Sequence, residues 1–334
     1  MYDKRMNLRE KVYQMFVLSP SAVNLIGDEN LVAALKNGLG GIIFFTKNIV
    51  TVEQTKTLIS DILSVSKIPP FLGIDEEGGR VERTENLFGG KKFLSARYQA
   101  EKGLKYVEKE TTAISVLLKE LGFNMNFAPV LDVNTNPANP IIGERAYSDK
   151  ADEVSEFGFC AAKTYMDNRI IPVCKHFPGH GDAGVDSHLS LPEVKCSFSE
   201  LENVHIKPFK AAIESGIPAI MAAHLYCPCF DEEKVPASLS KNVINYLRKD
   251  LNFNGVIVSD DMQMGALDGY TPLESVIKGI EAGVDLFLFR DCEADKIAVI
   301  EAVLTAAEKN DELRNNILKA NERIFALKKE FKLL

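Results

Sequence analysis

The chain has 334 residues, 46% of them apolar, which suffices for a large buried core and makes disorder the wrong default. Lys and Arg total 39 against 47 Asp and Glu, a formal charge of −8, and no long basic run offers the electrostatic footprint of a nucleic-acid partner. Residues 1–10 are charged and lack the apolar core of a signal peptide, and no window reaches the roughly 20 apolar residues of a membrane span. A soluble cytoplasmic protein is expected, monomeric, with no membrane partner.

Short apolar or β-branched runs alternate with longer amphipathic segments along the chain. Strands are expected at residues 15–18, 41–45, 70–75, 124–132, 171–176, 219–226, 255–260 and 285–290. Helical patterns occupy residues 31–37, 51–65, 96–121, 151–168, 199–215, 241–251, 272–282 and 295–333. This α/β alternation predicts a single TIM-like (β/α)8 barrel over residues 1–334, because no Pro/Gly/Ser linker or internal repeat divides the chain. A doubly wound open sheet is the competing architecture, since counting strands does not close them.

Polar residues collect where the expected strands stop: Asp75, Asp132, Lys175-His176, His224, Asp260-Asp261 and Arg290. Any one could be a cap or a core ion pair. Together they converge on one mouth, where barrel enzymes carry their chemistry.

The densest polar segment, Lys175-His176-Phe177-Pro178-Gly179-His180-Gly181-Asp182-Ala183-Gly184-Val185-Asp186-Ser187-His188, holds three of the five histidines. Its Pro and Gly residues disfavour a regular helix and predict a loop. A divalent-metal site is one reading of its His and Asp residues, but the helical His-Glu-x-x-His pattern is missing and Lys175 would repel a cation. Neither metal nor cofactor is expected. A polar loop with locally satisfied histidines is another reading.

Asp186 and His188 could instead form a pair in which the carboxylate fixes the imidazole tautomer and raises its basicity, suited to protonating a leaving group and then activating water. No Gly-x-Ser-x-Gly elbow surrounds Ser187, which speaks against a serine hydrolase. On the seventh strand, side-chain alternation turns Asp260 to the face of Val256 and Val258, and Asp261 away unless the chain turns sharply. Asp75-Glu76-Glu77-Gly78-Gly79-Arg80-Val81-Glu82-Arg83 offers charged groups suited to sugar hydroxyls, with paired glycines for a tight turn or close backbone approach. A solvated salt-bridge loop fits that stretch equally well. The six cysteines are few for the length and sit mostly in apolar contexts, so buried free thiols are expected; Cys227-Pro228-Cys229 lacks a matching second pair.

The Lys175–Gly181 run followed by Asp186-Ser187-His188 resembles the signature of NagZ-type β-N-acetylglucosaminidases of glycoside hydrolase family 3. Gly73–Val81, Ile142–Arg145 and Val256–Asp261 extend the resemblance, in the family's order, over nearly the whole chain. It implies a TIM-like barrel and double displacement, with Asp260 as nucleophile, His188 as acid/base and Asp186 as its partner. Asp75, Arg83, Arg145, Lys175 and His176 match positions that bind the terminal sugar. The implied activity is a retaining exo-β-N-acetylglucosaminidase (β-N-acetylhexosaminidase) acting on small carbohydrate or muropeptide substrates of cell-wall recycling. A second sandwich domain, common in family 3 β-glucosidases, is not expected. A glycoside phosphorylase on the same site, substrate-assisted hydrolysis and a non-catalytic sugar-binding barrel are the rival readings.

Overall fold

The computed structural model describes residues 6–183 and 191–334. Among them eight parallel strands close into a barrel: β1 (Phe16–Leu18), β2 (Gly41–Phe44), β3 (Phe71–Ile74), β6 (Met125–Asn126), β7 (Ile171–Phe177), β8 (Ala219–Ala222), β9 (Val256–Asp261) and β10 (Leu286–Leu288). Each lies within or against one expected strand. Closure, which the strand count left open, runs through the parallel pairing of β1 with both β2 and β10. The remaining strands, β4 (Glu76–Gly78) and β5 (Val81–Glu82), form an antiparallel hairpin leaving β3, in a stretch read from sequence as a loop.

Helices wrap the barrel with one apolar stripe inward. In Val52–Val65 the buried residues Thr55, Leu58, Ile59 and Ile62 recur at helical spacing, and Thr51 caps the start by accepting from Gln54 N. Pro272–Ala282 opens with a reciprocal capping box between Thr271 and Glu274. No helix among the described residues is long and apolar enough to cross a membrane.

Two expected helices are each divided. Residues 96–121 break into Ala96–Glu101 and Leu104–Leu121 at Gly103, whose φ of 91° a helix does not accept. Residues 295–333 break into Ala294–Lys309 and Asp311–Glu330, because the Asn310 side chain accepts from Glu312 N and Leu313 N and so starts a second helix. The expected strand 124–132 keeps a regular ladder only at Met125–Asn126. Beyond Pro129, which has no N–H to give, the chain still follows β7, with Leu131 N donating to Lys175 O at 2.7 Å. All six cysteines are free thiols, three buried and three half-buried rather than all buried.

Candidate active site

The C-terminal ends of the strands enclose a cavity of about 240 Å³. Its lining includes four carboxylates, Asp75, Glu77, Asp260 and Asp261, and four cations, Arg83, Arg145, Lys175 and Arg290. The volume lies below the roughly 300–1,000 Å³ typical of drug-sized sites. It therefore suits one sugar ring better than a chain of them.

The β4–β5 hairpin supplies one wall. Asn126, at the end of β6, grips its root: Oδ1 accepts from Glu76 N and Nδ2 donates to Glu76 O, both at 2.9 Å. Gly78 and Gly79 take φ of 86° and 61°, and a Cβ on Gly78 would lie 2.3 Å from Leu94 O, so both expected uses of the glycine pair hold. Alternation along β4 then separates two neighbouring glutamates. Glu76 points into protein, accepting from Arg83 N, Thr84 N and Thr84 Oγ1, and burial pushes its carboxyl up to about 8. Glu77 faces the cavity, where it accepts two bonds of 2.8 Å from Arg145 and one of 2.6 Å from Lys175 Nζ. Burial opposes its charge, but the two cations outweigh burial and hold it far below the usual carboxylate range.

A second wall is β7, two strands from β3 around the barrel and buried along its whole length. Lys175 Nζ bridges Glu77 to Asp75 Oδ1, 2.7 Å away, and Arg83 Nη2 stands 3.7 Å from Asp75 Oδ2. The following peptide, Lys175–His176, is cis. His176 Nδ1 lies 2.6 Å from the fully buried Asp132, and Arg145 Nη2 lies 3.4 Å from its Nε2. Asp132 also accepts from His180 N at 2.7 Å. Burial raises the Asp132 carboxyl, yet the two histidines outweigh it, so it stays ionised and Nδ1 of His176 carries the hydrogen. With both ring nitrogens engaged, His176 is a poor metal ligand. Outside the cavity Asp291, Glu293 and Asp295 bring carboxylate oxygens within 4.8 Å of one another, but Asp291 and Asp295 already pair with Lys296.

Asp260 and Asp261 close the floor from β9. Burial raises the Asp260 carboxyl, whereas His176, His224, the Asp261 N–H and Lys175 together bring it below its ordinary value. The Asp261 N–H donates to Asp260 Oδ1 at 2.8 Å, while Asp261 Oδ2 stands 3.6 Å from Arg290 Nε. Alternation predicted that Asp261 turns away; instead it also lines the cavity. The register slip between β9 and β10, where Leu286 faces Val258 but Leu288 faces Asp261, supplies the sharp local turn.

Six of the residues proposed from sequence, Asp75, Arg83, Arg145, Lys175, His176 and Asp260, thus meet around one cavity. Asp186 and His188 lie outside the described residues. Glu77, which the sequence reading did not single out, lines the cavity with them; its two-residue spacing from Asp75 was the available signal.

Residues 7–327 match the glycosyl hydrolase family 3 N terminal domain. The chain belongs to glycosyl hydrolase family 3. Among its relatives, β-hexosaminidase A of Pseudoalteromonas piscicida is 35% identical over 75% of this chain and 45% of its own length. A β-hexosaminidase of Idiomarina loihiensis is 30% identical over 86% of this chain and 87% of its own. The structure of a family 3 β-N-acetylglucosaminidase from Paenibacillus sp. str. FPU-7 superposes with a TM-score of 0.92 at 33% identity, covering 98% of this chain and 63% of that one. The chain thus spans under half of the first relative and under two thirds of the last.

Proposed function

We propose that this family 3 barrel is a retaining exo-β-N-acetylglucosaminidase that releases terminal β-linked GlcNAc by double displacement. The observation that carries the reading is an ionised Asp260 on the floor of a cavity sized for one sugar and lined by fixed cations and carboxylates. The names of its relatives, β-hexosaminidase and β-N-acetylglucosaminidase, favour GlcNAc as that sugar.

In the first step an Asp260 oxygen attacks the anomeric carbon while His188 gives its proton to the departing oxygen. In the second, His188 takes a proton from water, the water oxygen bonds the anomeric carbon, and Asp260 leaves. Asp186 orients and polarises the imidazole. Using imidazole in place of a second carboxylate avoids a like charge beside the nucleophile once the proton is gone. Asp75, Arg83, Arg145, Lys175 and His176 hold the ring hydroxyls and acetamido group through charge-assisted hydrogen bonds. Glu77 balances Arg145 and Lys175, so those donors face the sugar without excess positive charge. The natural substrates we infer are peptidoglycan fragments met in the cytoplasm.

A nitrophenyl β-GlcNAc and the matching β-glucoside, each with and without phosphate, test the reading. Preference for GlcNAc and release of the β-anomer of free GlcNAc support it. Preference for glucose, an α-anomer as first product or formation of a sugar phosphate would overturn it.

A further inference from the structure

The register slip at the end of β9 sets one extra residue against β10, a bulge directly under the two carboxylates. A bulge strands ladder groups without backbone partners, and burial makes such orphans costly. Side chains take their place. Ser259 Oγ accepts from Leu288 N at 3.1 Å, and His224 Nε2 contacts the Asp261 carbonyl oxygen at 3.1 Å.

His224 lies just beyond β8 and is fully buried. A carbonyl oxygen only accepts, so Nε2 carries the hydrogen. Burial keeps the imidazole below its usual range and hence neutral, which leaves Nδ1 to accept from the Ser238 hydroxyl at 2.6 Å. Ser238 is itself fixed: its N–H donates to Ala223 O at 3.1 Å, and Ala237 N donates to Leu225 O at 2.7 Å, on either side of His224. A directed chain therefore runs from Ser238 through His224 to the backbone that carries Asp260.

We propose that His224 and Ser238 are positioning residues for the nucleophile, clamping the β9 bulge so that Asp260 faces the sugar while Asp261 is drawn to Arg290. The inference rests on the reading of Asp260 as nucleophile. Among the described residues, the groups facing Asp260 are Lys175, His176, His180, His224 and Asp261. Of these side chains His224 is bonded to the backbone of the bulge itself. Neutral and bonded at both ring nitrogens, His224 acts on Asp260 through the backbone it holds and not as a charge beside the attacking oxygen.

The test uses His224→Leu, His224→Gln and Ser238→Ala with a 2-deoxy-2-fluoro glycosyl donor and a dinitrophenyl β-GlcNAc. A misaimed nucleophile should slow labelling and kcat about 10²-fold in His224→Leu. KM should move less than about threefold. The acidic limb of kcat/KM should rise in pH, because the Asp261 N–H bond that holds the Asp260 carboxyl down loosens once Asp261 is unclamped. His224→Gln, whose amide can donate to the Asp261 carbonyl and accept from Ser238, should recover most of both effects, and Ser238→Ala should fall between. A folded His224→Leu that labels at the wild-type rate with an unmoved acidic limb overturns the inference and leaves the reading of Asp260 standing. Should that variant not fold, the same result in Ser238→Ala overturns it equally. Wild-type enzyme that turns over without labelling Asp260 removes the underlying reading as well.

Discussion

Asp132 accepts hydrogen bonds from His176 Nδ1 at 2.6 Å, His180 N at 2.7 Å and His176 N at 3.3 Å, all inside the protein. Asp132→Asn keeps the shape but removes the charge and presents an N–H₂ to donors. His176 should then lose its fixed tautomer, and kcat/KM for a β-GlcNAc glycoside should fall about 10²-fold or more, a loss read in steady-state kinetics with CD to check folding. Asp260→Ala should abolish turnover with the fold intact. In the wild type, activity needs the Asp260 carboxylate, whose pKa is lowered, so it should persist to a pH below the ordinary carboxylate range and fail as pH drops through that lowered value. A pH profile of kcat/KM whose acidic limb sits well above that range would contradict the assignment. The strand-end charges were legible in sequence because an apolar run that stops on a charge marks where a barrel strand leaves the core for the mouth. Which side Asp261 takes was left to a sharp turn that sequence could not decide, because a bulge depends on the register of the partner strand, which a single segment does not encode.

The hairpin Glu76–Glu82 depends on two left-handed glycines packed against Leu94 and Ser95. Gly78→Ala strains φ and drives a methyl into the Leu94 carbonyl, so it should cost about 1–3 kcal/mol in urea unfolding. KM should rise as well, since the hairpin aims Glu77 and leads directly to Arg83. A stable variant with unchanged KM would separate the hairpin from sugar binding. The hairpin escaped sequence reading because strands of three and two residues have too little period to detect. Long helices escaped division for the opposite reason: their apolar periodicity continues across Gly103 and Asn310, and only the local φ and the capping geometry break them. The amphipathic βα units themselves were readable because each must bury one stripe against the barrel.

At the scale of the molecule, the far end of the barrel has its own polar bonds. Asp285, fully buried before β10, accepts from Arg248, from Arg323 and from Ile257 N, tying β9 to two outer elements. Lys328 is also fully buried, donating to Gln14 Oε1 at 2.8 Å beside the Phe71 ring, and burial pushes it down to about 7. The unfolded chain binds this proton up to about pH 10.4, while the folded one releases it near 7. Between those values the unfolded state holds more protons, so stability rises with pH there and is flat below. Lys328→Met should remove that slope and stabilise the protein at pH 7 relative to pH 9 by about 1–3 kcal/mol, as urea unfolding at the two pH values would read. An unchanged slope would show that the lysine is charged when folded. β9 joins the two ends: Ile257 N is held by Asp285 at the far end, and Asp260, about 10 Å further along, lines the cavity. Among the described residues the side-chain bonds at the two ends share no partner, so changes there should add independently. Stability can therefore be tuned around Asp285 while the mouth end of the same strand keeps its geometry, so the two properties are open to separate adjustment.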